Sequence, residues 1–532
     1  MKSTNLLIGS PIERVEDLRF LRGRGQYVGD VHRKGQLHAV ILRSSVAHGH
    51  IRRIDGTGAL NLPGVRAVIT ARDLGPNVPR IPLRLQPLPE LEPFRQPMLA
   101  DGKVRFVGEP MAVVIAESAA IAEDALELIE VDIESLPAVT GRVDAEAAKA
   151  IVFEAHGSNV SIGWTAVRGD VEAAFRSADY VRRETFRVQR HAPLFMEPRG
   201  FVAEWDAVTE KLTVWGAAKV AFANRKILAE AMGLSERQIE MIELDVGGGF
   251  GSRGEFYPED FLIPFASREL NRPVKWIEDR REHLLCANHA REIECDIEIA
   301  ATKDGRILGL RGESWSDNGA YIRTNGSVAP RNVAQFMSGP YDIENIRLTT
   351  HMLTTNKTPA GTYRAPGRFE ADFVRERLID LLAKDLGLDR VEIRRRNLVS
   401  DAQMPYPLPT ITPYESATEL DSGDYHALFD RCLEDFGWSE KVKLQGKLVD
   451  GRYHGVSIGS FVEGGAAGPS EDARIVLETD GSFSVYVGSA ALGQGIETIM
   501  AQIAGDALGV PFDRIRVRHG STDHVTEGHG SY

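Results

Sequence analysis

Two glycine-rich loops, Asp245-Val-Gly-Gly-Gly-Phe-Gly-Ser-Arg-Gly254 and Gly493-Gln-Gly495, have the residue types to hold one phosphate-bearing ligand between them. Residues without a Cβ let backbone N–H groups approach phosphate oxygens, and a helix starting just after the loop adds a favourable dipole. Gly493-Gln-Gly495 opens a stretch that reads as a helix, with Thr498 and Gln502 on its first turns. Gln494 both donates and accepts, which suits the edge of a pterin or a nucleobase. A third such stretch, Gly520-Ser-Thr-Asp523 through Gly528-His-Gly-Ser-Tyr532, stands at the end of the sequence. Taken alone, each of these is an ordinary turn.

Gly249-Phe-Gly-Ser-Arg-Gly254 also has the spacing of a dinucleotide-binding turn. Glu278 and Asp279 follow Val274 to Ile277 about where a ribose-binding acid would sit. Three features weigh against that reading: bulky Phe250 between two critical glycines, Pro264 inside the would-be binding helix, and a strand–helix pair upstream of the turn. A P-loop is excluded, because no Gly-Lys-Ser/Thr follows the glycines.

The elements that must position these loops form an internal repeat. Leu212 to Gly216 reads as a strand, a helical run ends at Ala231-Met-Gly-Leu234, and a second strand covers Gln238 to Val246. Phe483 to Gly488, a helical run ending Ala507-Leu-Gly-Val510, and Arg514 to His519 repeat that order. Gly233 and Gly509, like Ile239 and Ile515, lie 276 residues apart. Each unit reads strand, helix, glycine stop, strand, glycine loop. Two related α/β halves with matching loops can close on one extended ligand.

Around the repeat, Val104 to Ile115 reads as a strand pair, Ala119 to Leu128 as a helix and Ile129 to Ile133 as a strand. Pro76 to Pro97 holds seven prolines and reads as a surface loop. A second Pro-rich passage, Pro405 to Pro413, follows the helical segment Phe369 to Asn397 and marks a boundary. The 532 residues exceed what a single core supports. Three regions are expected, over 1–145, 146–415 and 416–532.

Hydrophobic residues are 43% and charged residues 26%, which excludes a disordered or fibrous chain. A net charge of −13 argues against nucleic acid as a partner. No apolar run reaches the length of a membrane span. Glu13, Arg14, Glu16, Asp17 and Arg19 stand where a signal peptide needs apolar residues, so a cytoplasmic location is expected. Cys286, Cys295 and Cys432 form no Cys-x-x-Cys pair, so no disulfide framework or protein-ligated metal site is expected, and the thiols read as buried or inert.

Gly247-Gly-Gly-Phe-Gly251, Arg364-Ala-Pro-Gly367 and Gly493-Gln-Gly-x-x-Thr498 occur in one order and context. With Arg22-Gly-Arg-Gly-Gln-Tyr-Val-Gly-Asp30 and Val107-Gly-Glu-Pro110, they resemble the molybdenum-binding large subunit of the xanthine oxidase family. The likeness extends along essentially the whole chain and is nearest the branch that includes carbon monoxide dehydrogenases. It implies a mixed α/β, or α+β, architecture. An N-terminal hammerhead-like domain would precede two related molybdopterin-binding domains, the second incomplete.

The resemblance also implies roles. Gly249, Phe250 and Gly251 would contact the molybdenum centre, with Phe250 and Arg364 lining the active site. Gly493, Gln494, Gly495 and Thr498 would hold the pterin and its diphosphate, and Ser521 and Thr522 the nucleotide end. The cofactor would be molybdopterin, as its cytosine dinucleotide, with no metal ligand from the protein. The reaction would be hydroxylation of an aldehyde or N-heterocycle with oxygen from water. Electrons would leave through iron–sulfur clusters and FAD on a small and a medium partner subunit, in a hetero-oligomer.

Departures from the family pattern carry their own expectations. Ala365 stands where carbon monoxide dehydrogenases have a cysteine, which argues against carbon monoxide as substrate. Lys219 stands near a position where many members have a glutamine. The family's general base, a glutamate, is expected beyond Tyr532, so no catalytic residue is assigned and the chain alone is expected to be inactive. Glu463 is a carboxylate in the right half of the chain and reads as a pocket-edge acid. The two alternatives are a non-catalytic fragment of such a subunit and a Rossmann-type NAD-binding oxidoreductase.

Overall fold

The computed structural model describes residues 6–85, 87–414, 417–464, 468 and 470–531. The boundary at 415/416 and the terminal Tyr532 lie outside these residues. Among them no helix is long and apolar enough to cross a membrane.

A seven-stranded mixed sheet forms the centre of the N-terminal half. Its order is Ile239–Glu243, Lys211–Ala217, Gly200–Asp206, Val274–Ile277, Leu37–Arg43, Pro110–Ala116 and Val65–Thr70. Residues on both sides of position 145 therefore share one sheet, joined where Leu37 pairs in parallel with Val274. A smaller sheet of Lys103–Val104, Gly49–Asp55 and Glu130–Ser135 adjoins it. The helix Ala119–Leu126 starts where the Ser118 side chain accepts from the Ile121 N–H, and it fills this corner with buried Ala122 and Ala125.

The strands expected within Val104 to Ile115 do form, but they do not pair with each other. Lys103–Val104 joins Gly49–Asp55, whereas Pro110–Ala116 lies between Leu37–Arg43 and Val65–Thr70. Every residue of Pro110–Ala116 is buried, as a central strand requires.

A six-stranded sheet organises the next region. Its order is Thr410–Thr412, Val160–Arg168, Asn345–Leu353, Ile307–Asp317, Ile293–Ala301 and Tyr180–Val188. Helices Val328–Gln335, Arg368–Leu386 and Arg390–Asn397 join its core, which includes Val333, Leu378 and Ile393. Two Pro-rich passages belong to this core, contrary to the surface loop expected for Pro76 to Pro97. There Pro89–Phe94 is a 3-10 helix whose Leu91 and Phe94 are fully buried, each worth about 1.5–3 kcal/mol of transfer from water. Ile411, between Pro405 and Pro413, completes the sheet edge beside Ala166. Proline limits regular hydrogen bonding, but it does not keep its apolar neighbours in solvent.

The repeat is present as read. In the first unit Lys211–Ala217 pairs in parallel with Ile239–Glu243, after the helix Ala221–Met232. In the second, Phe483–Val487 pairs in parallel with Ile515–Arg518, after the helix Ile496–Leu508. Both helices stop at a left-handed glycine, Gly233 and Gly509. Cys286 and Cys295 are buried and Cys432 is exposed, all three unpaired.

Candidate functional site

The second strand of the first unit, Ile239–Glu243, meets the loop that follows Ile515–Arg518 in the second. Ile242 bridges Ser521 in antiparallel fashion. The Met241 N–H donates to the Thr522 hydroxyl at 3.0 Å, and the Thr522 N–H donates back to the Met241 carbonyl at 3.1 Å. Buried Glu243 fastens the junction, accepting from the Lys219 N–H at 3.1 Å and the Ala491 N–H at 2.7 Å.

Beside this junction lies a cavity of about 1340 Å³. Gly249, Phe250 and Gly251 form one wall, Arg364, Ala365 and Pro366 another, and Leu492 and Gln494 a third. Leu85, Leu88, Trp164, Val328, Ile411 and Tyr414 add an apolar and aromatic lining.

Eight non-glycine residues among those described have positive φ, and four of them line this cavity: Lys219, Phe250, Arg291 and Ala365. Such backbone persists only where the surroundings enforce it, and it gathers at functional sites. The enforcing bonds are visible. The Arg364 N–H donates to the Phe250 carbonyl at 2.8 Å, and the Thr362 hydroxyl to the Gly251 carbonyl at 3.1 Å. The Arg291 guanidinium donates to the Arg364 carbonyl at 2.6 Å. Gly251, at φ +106°, leaves no room for a side chain, since a Cβ would lie 2.9 Å from the Thr362 carbonyl oxygen.

From below, Arg253 holds the glycine loop by donating to the Glu197 and Pro198 carbonyls at 2.5 and 3.1 Å. The Gly247 N–H donates to the Glu197 carboxylate at 2.8 Å. Lys219 is almost fully buried, and burial, then the charge of Arg84, lowers its amine to about 8 against the opposing pull of Glu255.

Five expected site residues line the cavity together: Gly249, Phe250, Gly251, Arg364 and Gln494. Gly493, Gly495, Thr498, Ser521 and Thr522 are not among its lining residues. Their polar groups are engaged within the chain. The Thr498 hydroxyl donates to Glu16 at 2.6 Å and accepts from the Val15 N–H at 3.0 Å. Arg14 donates to the Gly493 carbonyl at 3.2 Å. The Ser521 hydroxyl donates to Glu240 at 2.8 Å. Sequence reasoning missed this N-terminal strap. Glu16 is buried and caps the helix Ile496–Leu508, accepting from the Glu497 and Thr498 N–H groups at 3.0 and 3.3 Å. A contact across more than 480 residues leaves no local pattern to find.

The acids singled out for the dinucleotide reading serve the fold. Glu278 is buried against Arg199 and His283, and the Asp279 side chain caps the helix Arg280–Cys286. Glu278 is thus committed to a buried ion pair and Asp279 to a helix cap, which weighs against the dinucleotide reading. Glu463 does line the cavity, paired with Arg368. Among the described residues no group of three or more His, Cys, Asp and Glu is placed to hold a metal ion.

His519 carries the junction's pH dependence. Its Nδ1 lies 3.6 Å from Glu243 and its Nε2 3.4 Å from Glu497. Burial alone would lower the imidazole, but the two carboxylates outweigh it and raise it to about 9. A raised histidine stabilises fully below its unfolded value and loses that contribution as pH rises through the folded value. Wild type should therefore lose about 3 kcal/mol relative to the Glu243→Gln, Glu497→Gln double variant between about pH 6.5 and 9. Urea titrations of both proteins across that range check it, and parallel pH profiles would refute it.

Comparison with known proteins agrees with this geometry. Residues 22–137 match the aldehyde oxidase and xanthine dehydrogenase a/b hammerhead domain, and residues 152–398 and 431–532 each match a molybdopterin cofactor-binding domain. The carbon monoxide dehydrogenase large chain of Afipia carboxidovorans is 35% identical, over 99% of this chain and 68% of that one. The chain belongs to the xanthine dehydrogenase and aldehyde oxidase family. Another family relative, the 6-hydroxypseudooxynicotine dehydrogenase complex subunit gamma of Paenarthrobacter nicotinovorans, is 37% identical over 99% of this chain and 66% of its own length. Within the family the crystal structure of quinoline 2-oxidoreductase from Pseudomonas putida 86 superposes with a TM-score of 0.90 at 35% identity, covering 98% of this chain and 68% of that one. The chain thus spans about two thirds of the length of the family members it matches.

Proposed function

We propose that these residues form the larger part of the molybdenum-binding catalytic subunit of a multi-subunit hydroxylase. Its substrate would be an aldehyde or N-heterocycle, with oxygen taken from water. The observation that carries the proposal is the cavity between the Gly249–Gly251 and Arg364–Pro366 loops, in a chain of this family.

The lining fits a bulky anionic cofactor. The cavity is large enough, Gly251 sits where a Cβ would strike the Thr362 carbonyl, and Lys219 and Arg364 supply positive charge. A molybdopterin cytosine dinucleotide would be held by Gly249, Phe250 and Gly251 on one side and by Arg364 and Gln494 on the others. When bound, the group supplies the electron acceptor for the oxidised carbon. The protein's own contribution is to place the substrate beside it between Phe250 and the aromatic lining, and to exclude water there.

Gly493, Gly495, Thr498, Ser521 and Thr522 enter the proposal as supports of this wall and of the nucleotide end. Glu463 is tied to Arg368 and is given no role in proton transfer. Ala365 leaves no thiolate in the Arg364–Pro366 wall, which weighs against carbon monoxide as substrate. Iron–sulfur and FAD subunits as partners belong to the same proposal, and a relative named as a complex subunit supports them. A cytoplasmic location accords with three unpaired thiols.

Metal analysis and nucleotide release on the purified native protein test the reading. Molybdenum in stoichiometric amount, with cytidine nucleotide freed on denaturation, is expected. A nicotinamide cofactor without molybdenum would refute it.

A further inference from the structure

The cavity lining includes a buried amine. Lys219 lines the cavity together with Gly249, Phe250 and Gly251, and it is 8% exposed. Its backbone has the left-handed φ of +65°, and two bonds hold it there. The Lys219 N–H donates to Glu243 at 3.1 Å, and the Lys219 carbonyl accepts from the Ser531 N–H at 3.1 Å. The side chain thus leaves a backbone fixed by the first unit on one side and by the 528–531 segment on the other.

A glycine clears its path. A Cβ at Gly254 would lie 3.1 Å from Lys219 Cδ and 3.2 Å from Cε, closer than carbon atoms pack. Arg84 and the Asn325 side chain donate to the Gly254 carbonyl at 2.7 and 3.0 Å, which fixes the turn beside the lysine. The charged groups around the amine are Arg84 and, from the same turn, Arg253 and Glu255. Glu243 and His519 stand behind its backbone, and His529 lines the same cavity. Glu255 accepts from the Asn325 and Thr362 N–H groups at 3.0 and 3.3 Å, and Arg253 donates to Glu197 at 3.0 Å. Among the other lining cations, Arg291 is paired with Glu370, Arg368 is paired with Glu463, and Arg364 is exposed.

An ammonium carries three donors on a flexible stem, so a partner inside the chain still leaves it N–H groups to offer a ligand. In a buried wall each such bond is stronger than in water. Aldehydes and N-heterocycles share one feature that a donor can read. The carbonyl oxygen, or the ring nitrogen, is bonded directly to the carbon that is oxidised, and negative charge gathers on that atom as the carbon is attacked. A donor already in place there costs no reorganisation.

We propose that Lys219 is the specificity-determining donor of this cavity, binding the carbonyl oxygen or ring nitrogen next to the oxidised carbon of a neutral substrate. No bond to Lys219 is made or broken. The ammonium keeps its proton, orients the acceptor atom and so fixes the reacting carbon beside it. This rests on the hydroxylase reading for which carbon reacts, but the preference for an acceptor is independent of turnover.

Calorimetric titration with acetophenone and α-methylstyrene tests it, with molybdenum measured on the same sample. The two have nearly one shape, but only the ketone has an acceptor, and its carbonyl carbon bears no hydrogen to lose. At neutral pH the ketone should bind about tenfold tighter, as a charge-assisted hydrogen bond implies. That preference should shrink as pH rises through about 8, where the amine loses its charge, and a bound anionic cofactor should move the fall to higher pH. Lys219→Met should abolish the preference at every pH. Lys219→Arg should keep it without the alkaline fall, with circular dichroism confirming the fold of both. Equal affinity of wild type for the two ligands at neutral pH would overturn the inference, whatever the variants do. So would an undiminished preference in a folded Lys219→Met, or an alkaline fall that persists in Lys219→Arg and so belongs to another group such as His519. The preference in protein that binds no molybdenum would leave this inference standing and remove the hydroxylase reading. Molybdenum without the preference would do the reverse.

Discussion

Arg199→Met should lower the stability of the folded chain by about 3–5 kcal/mol, because it strands buried carboxylates without their cation. The Arg199 guanidinium is fully buried. It donates to Glu278 at 2.6 Å and to Glu259 at 3.0 Å, and stacks 3.8 Å over Tyr257. The Arg199 N–H donates to the other Glu278 oxygen at 3.0 Å. Arg43 and His283 bind the outer sides of the same two acids, at 2.6 and 2.9 Å.

Burial alone would raise both carboxyls, but Arg199, together with Arg43 at Glu259 and His283 at Glu278, outweighs it and holds them below the usual carboxylate range. Their contribution is present above the unfolded carboxylate value and is lost only as pH falls through the folded ones. Guanidinium denaturation at neutral pH reads the loss. The double variant Arg199→Met, Glu278→Leu should recover part of it, since it removes the charge the single variant strands. A single variant as stable as wild type would show that the cluster adds nothing. The effect should reach the site, because Arg199 follows Glu197 and Pro198, to which Arg253 fastens the glycine loop.

Gly251→Val should cut the molybdenum content of the native protein by about tenfold or more while leaving most of the fold intact. A valine at φ +106° adopts a conformation costing on the order of 1–3 kcal/mol, and its Cβ would meet the Thr362 carbonyl oxygen at 2.9 Å. Relief requires moving the loop off Thr362, which breaks the bond between the Phe250 carbonyl and the Arg364 N–H. Each 1.4 kcal/mol lost from cofactor binding is about a factor of ten in affinity. Metal analysis and circular dichroism on the same preparation separate a lost site from a lost fold. Wild-type molybdenum in the variant would show that this loop does not hold the cofactor.

Much of the architecture was legible in the chain. The repeat emerged from strand, helix and glycine spacing, because those patterns are local and Gly233 and Gly509 are needed where each helix turns into the left-handed region. The loop wall of Gly249, Phe250 and Gly251, with Arg364, was legible as motif. The surface loop expected at Pro76 to Pro97 failed, because burial of Leu91 and Phe94 is decided by the helices and sheet that cover them. The strand pair expected within Val104 to Ile115 failed for a related reason. Alternation marks a strand but does not name its neighbour.

By itself, then, the sequence determined the elements, their order, the repeat and the loops that approach a ligand, since each follows from periodicity and from backbone freedom within a few residues. Only the tertiary structure decided what those loops face. It brought Trp164, Arg331 and Arg368 to one wall, turned Thr498, Ser521 and Thr522 to partners inside the chain, and laid Glu16 on a helix 480 residues away. Charges and hydrogen-bond donors have no period along a chain. Their function is set by which of them packing leaves buried together, and that is a property of the fold.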